Sequence, residues 1–196
     1  MRLSTPIPFP VVVQSWLQAE WYLPHFDAIR ASIPAAFIES VDVNQPQMNQ
    51  QKLDLLRSIR SPIIDPLPAD TEWHTTSIDK NDLQRIFTVP SNDWATVSSN
   101  TYHPLKVIEN LHMDDGHAKK INEIKNSLDS NLDKRIVMVG TSVNSPLTII
   151  EGNHRAVALF ADALEKDLQN PIIEEVFIGI SPAMKDYVFH IEKYMV

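Results

Sequence analysis

The 196-residue chain contains no cysteine. Disulfides, thiolate–zinc sites and cysteine nucleophiles are therefore excluded, and the composition fits a reducing compartment. No apolar run approaches the roughly 20 residues that a helix needs to cross a bilayer. Residues 1–13 hold one arginine and a short apolar patch broken by Pro6, Pro8 and Pro10, which denies them the apolar helix of a signal peptide. A cytoplasmic location is the expectation. Excess positive charge is also missing. The net charge is −8 with histidine neutral, so nothing draws the chain as a whole to DNA, RNA or an anionic membrane. The longest basic clusters are the pairs Lys119-Lys120 and Lys134-Arg135, which read as solvated surface.

What is present suits one domain carrying an elaboration. Hydrophobic content of 43% and charged content of 21% allow a sizeable core. Residues 1–70 lack glycine and are rich in proline and glutamine. Helices are expected over Trp16 to Ile33, interrupted at Pro24, and over Gln50 to Ile59, where Leu53, Leu56 and Ile59 recur at helical spacing. Asn44 to Gln51 reads as a polar loop. Pro62, Pro66 and Pro68 around Ile63-Ile64-Asp65 read as an extended connector. Bulky residues such as Trp16, Leu17, Phe26, Ile29 and Phe37 need a surface to bury against. Residues 1–70 are thus expected to be a helical elaboration, and residues 71–196 the core.

The core alternates strand-like and helix-like stretches. Strands are expected at Trp73 to Ile78, Ile86 to Val89, Arg135 to Val139, Leu147 to Ile150 and Val176 to Ile180. A short helix or turn is expected at Asp79 to Leu83. Ser91 to Trp94 and Tyr102-His103-Pro104 read as turn and loop. Gly116 to Leu128 is an amphipathic helix with Ile121, Ile124 and Leu128 on one face. Asn153 to Leu164 is apolar nearly all round, as a buried helix would be, and Pro182 to Lys193 closes the chain as a helix. The alternation predicts an α/β fold, bordering on α+β, with a small mixed sheet.

One junction concentrates polar chemistry between two apolar elements: Glu151-Gly152-Asn153-His154-Arg155. Gly152 permits a sharp turn and a close ligand approach. Asn153 suits an N-cap, and the unpaired N–H groups of a helix start, with the helix dipole, attract anions. Arg155 offers a planar fork of donors for phosphate oxygens, and His154 offers one more. A plainer account needs no ligand: Asn153 caps the helix and Arg155 pairs with Glu151.

The order strand, E-G-N-H-R, helix, strand resembles the ParB/sulfiredoxin superfamily, in which a G-x-x-R-type phosphate motif opens the helix after a strand. ParB proteins carry a G-E-R-R-type box there, sulfiredoxins G-C-H-R, and archaeal free-serine kinases D-G-H-H-R. The last matches most closely, with Glu151 for the acid, then Gly152, Asn153, His154 and Arg155. The resemblance spans about Thr75 to Ile180, including Ile78 to Leu83 and Gly116 to Leu128. Asn153 stands where sulfiredoxins have the catalytic cysteine, so sulfinic-acid reduction is excluded. His154 stands where ParB has a second arginine, and the forty or so residues after Arg155 are too few for ParB's DNA-binding region. The E-G-N-x-R string also occurs in the Fic family, but Leu147 occupies the place of the Fic histidine and His154 that of its second glycine.

The resemblance implies a nucleotide site, with ATP or CTP, and Mg²⁺ carried by the phosphates, as the expected cofactors. Cofactor contacts fall to Gly152, Asn153, His154 and Arg155, and catalytic roles to Glu151, His154 and Arg155, with Asp79 and Asp82 as candidate bases. No protein metal site is expected: the spacing of His112 and His117 around Asp114-Asp115 fits no zinc motif, and the acids read as a helix start. Two functions follow. One is a nucleotide-binding protein acting as a phosphotransferase or NTPase on a small molecule. The other is a non-enzymatic nucleotide or anion sensor in which residues 1–70 bind a partner or a second copy of the chain.

Overall fold

Prolines open several helices of this chain, because a fixed φ and a missing N–H cost nothing in a first helical turn. The computed structural model describes residues 1, 3–40, 42–128, 136–168 and 172–195. In chain order they form β1 (Pro6–Ile7), α1 (Phe9–Glu20), α2 (Asp27–Arg30), α3 (Ala35–Glu39), α4 (Pro46–Ile64), β2 (Glu72–Ile78), β3 (Ile86–Phe87), α5 (Asn92–Val97), α6 (Pro104–Asn110), α7 (Asp115–Asn126), β4 (Val137–Gly140), β5 (Leu147–Glu151), α8 (Asn153–Glu165) and β6 (Ile173–Ile180). Single 3-10 turns fill Pro24–Phe26, Lys80–Arg85, Leu111–Met113, Pro182–Asp186 and Ile191–Tyr194.

The strands make one mixed sheet in the order β1-β2-β6-β4-β5-β3. Pairs β4·β6 and β3·β5 are parallel, and the others antiparallel. This is the expected α/β fold with a helical N-terminal region. Both faces of the sheet are covered, which is why the central strands read as continuous apolar runs. Val137, Val139, Ile150 and Phe177 point to one face and pack with Trp16 and Leu17 of α1 and Leu56 of α4. Met138, Ile149 and Ile178 point to the other and pack with Ala156, Leu159, Phe160 and Ala163 of α8. The N-terminal helices and the strands therefore share one core. Among the described residues no helix is long and apolar enough to cross a membrane.

Several local expectations are corrected. Ile63 and Ile64 are helical, not an extended connector: α4 bends at Arg60 (φ −128°, ψ 17°), which places Pro62 in the first turn of a second helical piece. Pro46 likewise begins α4 inside the stretch read as a loop. Asn92, in the stretch read as a turn, begins α5. Pro104 sits in the first turn of α6, where His103 Nδ1 accepts from Leu105 N at 3.3 Å. Pro6–Ile7 adds an edge strand, where a missing ladder N–H is tolerated. The closing helix is two 3-10 turns, because the chain extends between them to bury Tyr187 and His190. Lys134-Arg135, and with them the expected start of β4, lie outside the described residues.

Candidate functional site

The β5–α8 junction is shaped by a bulge and a glycine. On β4, Val137 pairs with Glu151 and the next residue, Met138, pairs with Ile149, so Ile150 is the extra residue. A bulge re-aims side chains. Here it brings Glu151 to the side of Val137, the side that faces the N-terminal helices. Gly152 then takes the left-handed conformation (φ 81°, ψ 27°) and occupies the N-cap position. Asn153 is not the cap. Its Oδ1 accepts from Val89 N at 2.9 Å, tying the helix start to the end of β3. The first intrahelical bond runs from Ala156 N to Gly152 O at 2.8 Å. The N–H groups of Asn153, His154 and Arg155 stand ahead of it, and no cap side chain accepts from them.

The five motif residues separate onto two flanks. Glu151 and Arg155, four apart, lie on the first. Arg155 Nη2 donates to Glu151 Oε1 at 2.5 Å, with the two side chains 13% and 16% exposed. This is the ion pair that the plainer, ligand-free account expected, and Glu151, turned inward by the bulge, holds the guanidinium in the seam. Arg155 Nε is buried with no hydrogen-bond partner among the described residues.

Two residues that sequence reading missed complete this flank. Glu20, the last residue of α1, is 1% exposed and accepts from Arg60 Nε at 2.7 Å and Nη2 at 2.5 Å. The Glu20 carboxylate also acts on Glu151 across the seam. Burial first pushes the Glu151 carboxyl up to about 7; Arg155 opposes this, Glu20 reinforces it and Arg60 opposes it. A signal was present in the sequence. Val13, Trp16, Leu17 and Glu20 follow one helical stripe, so Glu20 is an acid on an apolar face. Arg60, four beyond Leu56, is its counterpart on α4.

The second flank is aromatic. His154 Nε2 lies 2.9 Å from His117 Nδ1 of α7. Both rings rest on Trp94 of α5, at 4.9 and 4.4 Å between centroids. Burial first, then the charges of His117 and Lys120, push His154 down to about 4, against an opposing pull from Asp114. His154 is therefore neutral at pH 7 and serves as a hydrogen-bonding ring, not a cation.

The other sequence candidates go elsewhere. Asp79 and Asp82 form a capping box at the end of β2, three places from β5 in the sheet, and Asp82 also pairs with Arg85 at 2.6 Å. Asp114 Oδ1 caps α7 by accepting from His117 N at 2.9 Å. Among the described residues no group of three His, Asp or Glu side chains is placed to hold a metal ion. Concave surface lined by Gln45, Gln47, Met48 and Gln51 contains no motif residue. No family model, curated protein or solved structure matches the chain.

Proposed function

We propose that the chain binds a nucleotide, or another small phosphorylated ligand, at the first turn of α8. The observation that carries this reading is the buried Nε of Arg155, a donor without a partner among the described residues, beside three uncapped helix N–H groups. A buried unpaired donor costs about 1–3 kcal/mol. A phosphate oxygen is the acceptor that both the guanidinium and the helix end are built to take. The left-handed Gly152 keeps the approach free of a Cβ. The resemblance of Glu151 to Arg155 to the phosphate motif of the ParB/sulfiredoxin superfamily supports the same place, with ATP or CTP as the ligand and Mg²⁺ bound through its phosphates.

Within this reading, binding is favoured over phosphoryl transfer by one feature of the site. Glu151, the nearest candidate base, is ion-paired with Arg155, so it is not free to take a substrate proton. His154 is engaged with His117. The chain then acts as a nucleotide-responsive module whose N-terminal helices touch the site through Glu20 and Arg60. A thermal-shift screen of ATP, CTP and GTP with and without Mg²⁺ tests it. Ligand at a hundred times its dissociation constant should stabilise the protein by about 2.7 kcal/mol. An unchanged melting temperature with every nucleotide would leave only the plainer account, a turn closed by its own ion pair.

A further inference from the structure

His154, in the first turn of α8, is reached from a second helix. Its Nε2 lies 2.9 Å from Nδ1 of His117, which α7 carries. His117 is buried and held in place from two sides. Its backbone N–H donates to Asp114 Oδ1 at 2.9 Å, and its ring rests on Trp94 with 4.4 Å between centroids. The two imidazole rings stack with 26° between their planes. The hydrogen bond between them needs one proton, and either ring can supply it. The direction of that bond decides what His154 offers at its other nitrogen. A neutral imidazole has one donor and one acceptor. If His117 Nδ1 donates, the His154 proton sits on Nδ1, which becomes a donor. If His154 Nε2 donates, Nδ1 is a bare acceptor. Nδ1 is bonded to Cγ, so it is the ring nitrogen nearer the α8 backbone. It makes no hydrogen bond among the described residues. The His154 ring stays neutral, because burial disfavours an imidazolium and so does the positive end of a helix.

We propose that His117 is a positioning residue of the α8 anion site: it donates Nδ1–H to His154 Nε2 and so fixes the His154 tautomer that offers Nδ1–H to the bound anion. The inference rests on the phosphate reading above and adds α7 to that site. A phosphate oxygen accepts from Nδ1–H and is repelled by a bare Nδ1 lone pair, so ligand and tautomer favour each other. His154 then adds a neutral donor to the N–H groups of the first turn and to the Arg155 guanidinium. Asp114 and Trp94 support the arrangement by holding the His117 backbone and ring.

The test reads the tautomer and the affinity separately, on the full chain with Mg²⁺–ATP and Mg²⁺–CTP. Imidazole nitrogen NMR distinguishes a protonated ring nitrogen from a bare one. In the bound parent, His154 should carry its proton on Nδ1 and leave Nε2 bare. His117→Phe keeps an aromatic ring on Trp94 and removes the donor. By calorimetry it should bind nucleotide on the order of fivefold to tenfold more weakly, the worth of roughly one hydrogen bond, and its His154 proton should spread over both nitrogens. His117→Asn places an amide donor near the Nδ1 position and should recover much of the affinity that His117→Phe loses. A role in packing alone would lower the melting temperature of both variants without moving the His154 proton, and that result overturns the inference. If His117→Phe fails to fold, the His154 tautomer of the bound parent decides alone. A His154 proton on Nε2 in the bound parent, or equal affinity of the parent and His117→Phe, overturns the positioning role and leaves the anion site standing. A parent that binds neither nucleotide overturns both.

Discussion

The two flanks of the α8 N-terminus are made by one five-residue motif and differ in their electrostatics. On one, Glu151 and Arg155 sit in a charged seam with Glu20 and Arg60. On the other, Asn153 binds Val89 and His154, neutral at pH 7, binds His117 above Trp94. The bulge and the left-handed Gly152 make the division: the bulge aims Glu151 toward the N-terminal helices, where Arg155 of the first helical turn reaches it, and residues 153 and 154 bind on the other side. The charged flank binds the N-terminal helices. The aromatic flank binds α5 and α7. The helix start is thus the point where three parts of the chain meet, which suits a site that reports a bound anion to its surroundings.

Breaking the charged flank should have the largest effect. Arg155→Ala leaves Glu151 against Glu20 with one guanidinium fewer and should cost about 3 kcal/mol, the usual cost of removing one partner of a buried ion pair. The loss should be larger at pH 8 than at pH 5.5, where the Glu151 carboxyl protonates instead. Urea unfolding at the two pH values measures both.

The flanks should next separate by the sign of their pH dependence. Glu151 is raised from 4.5 to about 7 by folding, so the native state holds the extra proton in that window. Stability then falls as pH rises from 4.5 through 7, by an amount on the order of 3 kcal/mol, and levels beyond. His154 is lowered from 6.5 to about 4, so the unfolded chain holds the extra proton there. Stability on that flank falls as pH drops from 6.5 through 4, by roughly 2 kcal/mol after allowance for its partial exposure. Glu151→Gln should remove the loss on the alkaline side and His154→Gln the loss on the acid side. A parent and variant with parallel stability–pH curves would contradict either assignment.

The smallest effect should come from the hinge between the flanks. Gly152→Ala puts a Cβ on a left-handed backbone and should cost about 1–2 kcal/mol in unfolding free energy. It should weaken both flanks together, since both depend on the angle at which α8 leaves β5.

The sequence carried the sheet better than the site. Leu147 to Ile150 and Val176 to Ile180 are strands because both of their faces are buried, and a run of β-branched residues records that burial directly. The turn at Gly152 and the start of α8 at Asn153 were legible for the same local reason. The helix bend at Arg60, with Pro62 beyond it, was not: a proline signals a break, and only packing decides whether the chain extends or bends and continues as helix. The charged seam was hidden because its members lie far apart in the chain and meet only when α1 and α4 cover the sheet. The bulge at Ile150, which turns Glu151 toward them, is set by strand pairing and leaves no trace in a single strand's residues.

The central claim, that the first turn of α8 and Arg155 form an anion site, is tested most directly by calorimetric titration of Mg²⁺–ATP, Mg²⁺–CTP and Mg²⁺–GTP into the parent and into Arg155→Lys. Lysine keeps a positive charge beside Glu151 and so spares much of the seam, but it removes the planar fork and the Nε donor. The account predicts saturable binding of at least one nucleotide by the parent, and a loss of about 1.5–3 kcal/mol in Arg155→Lys, the worth of a hydrogen bond to a charged group. No heat of binding in the parent, or the same affinity in Arg155→Lys, would contradict it.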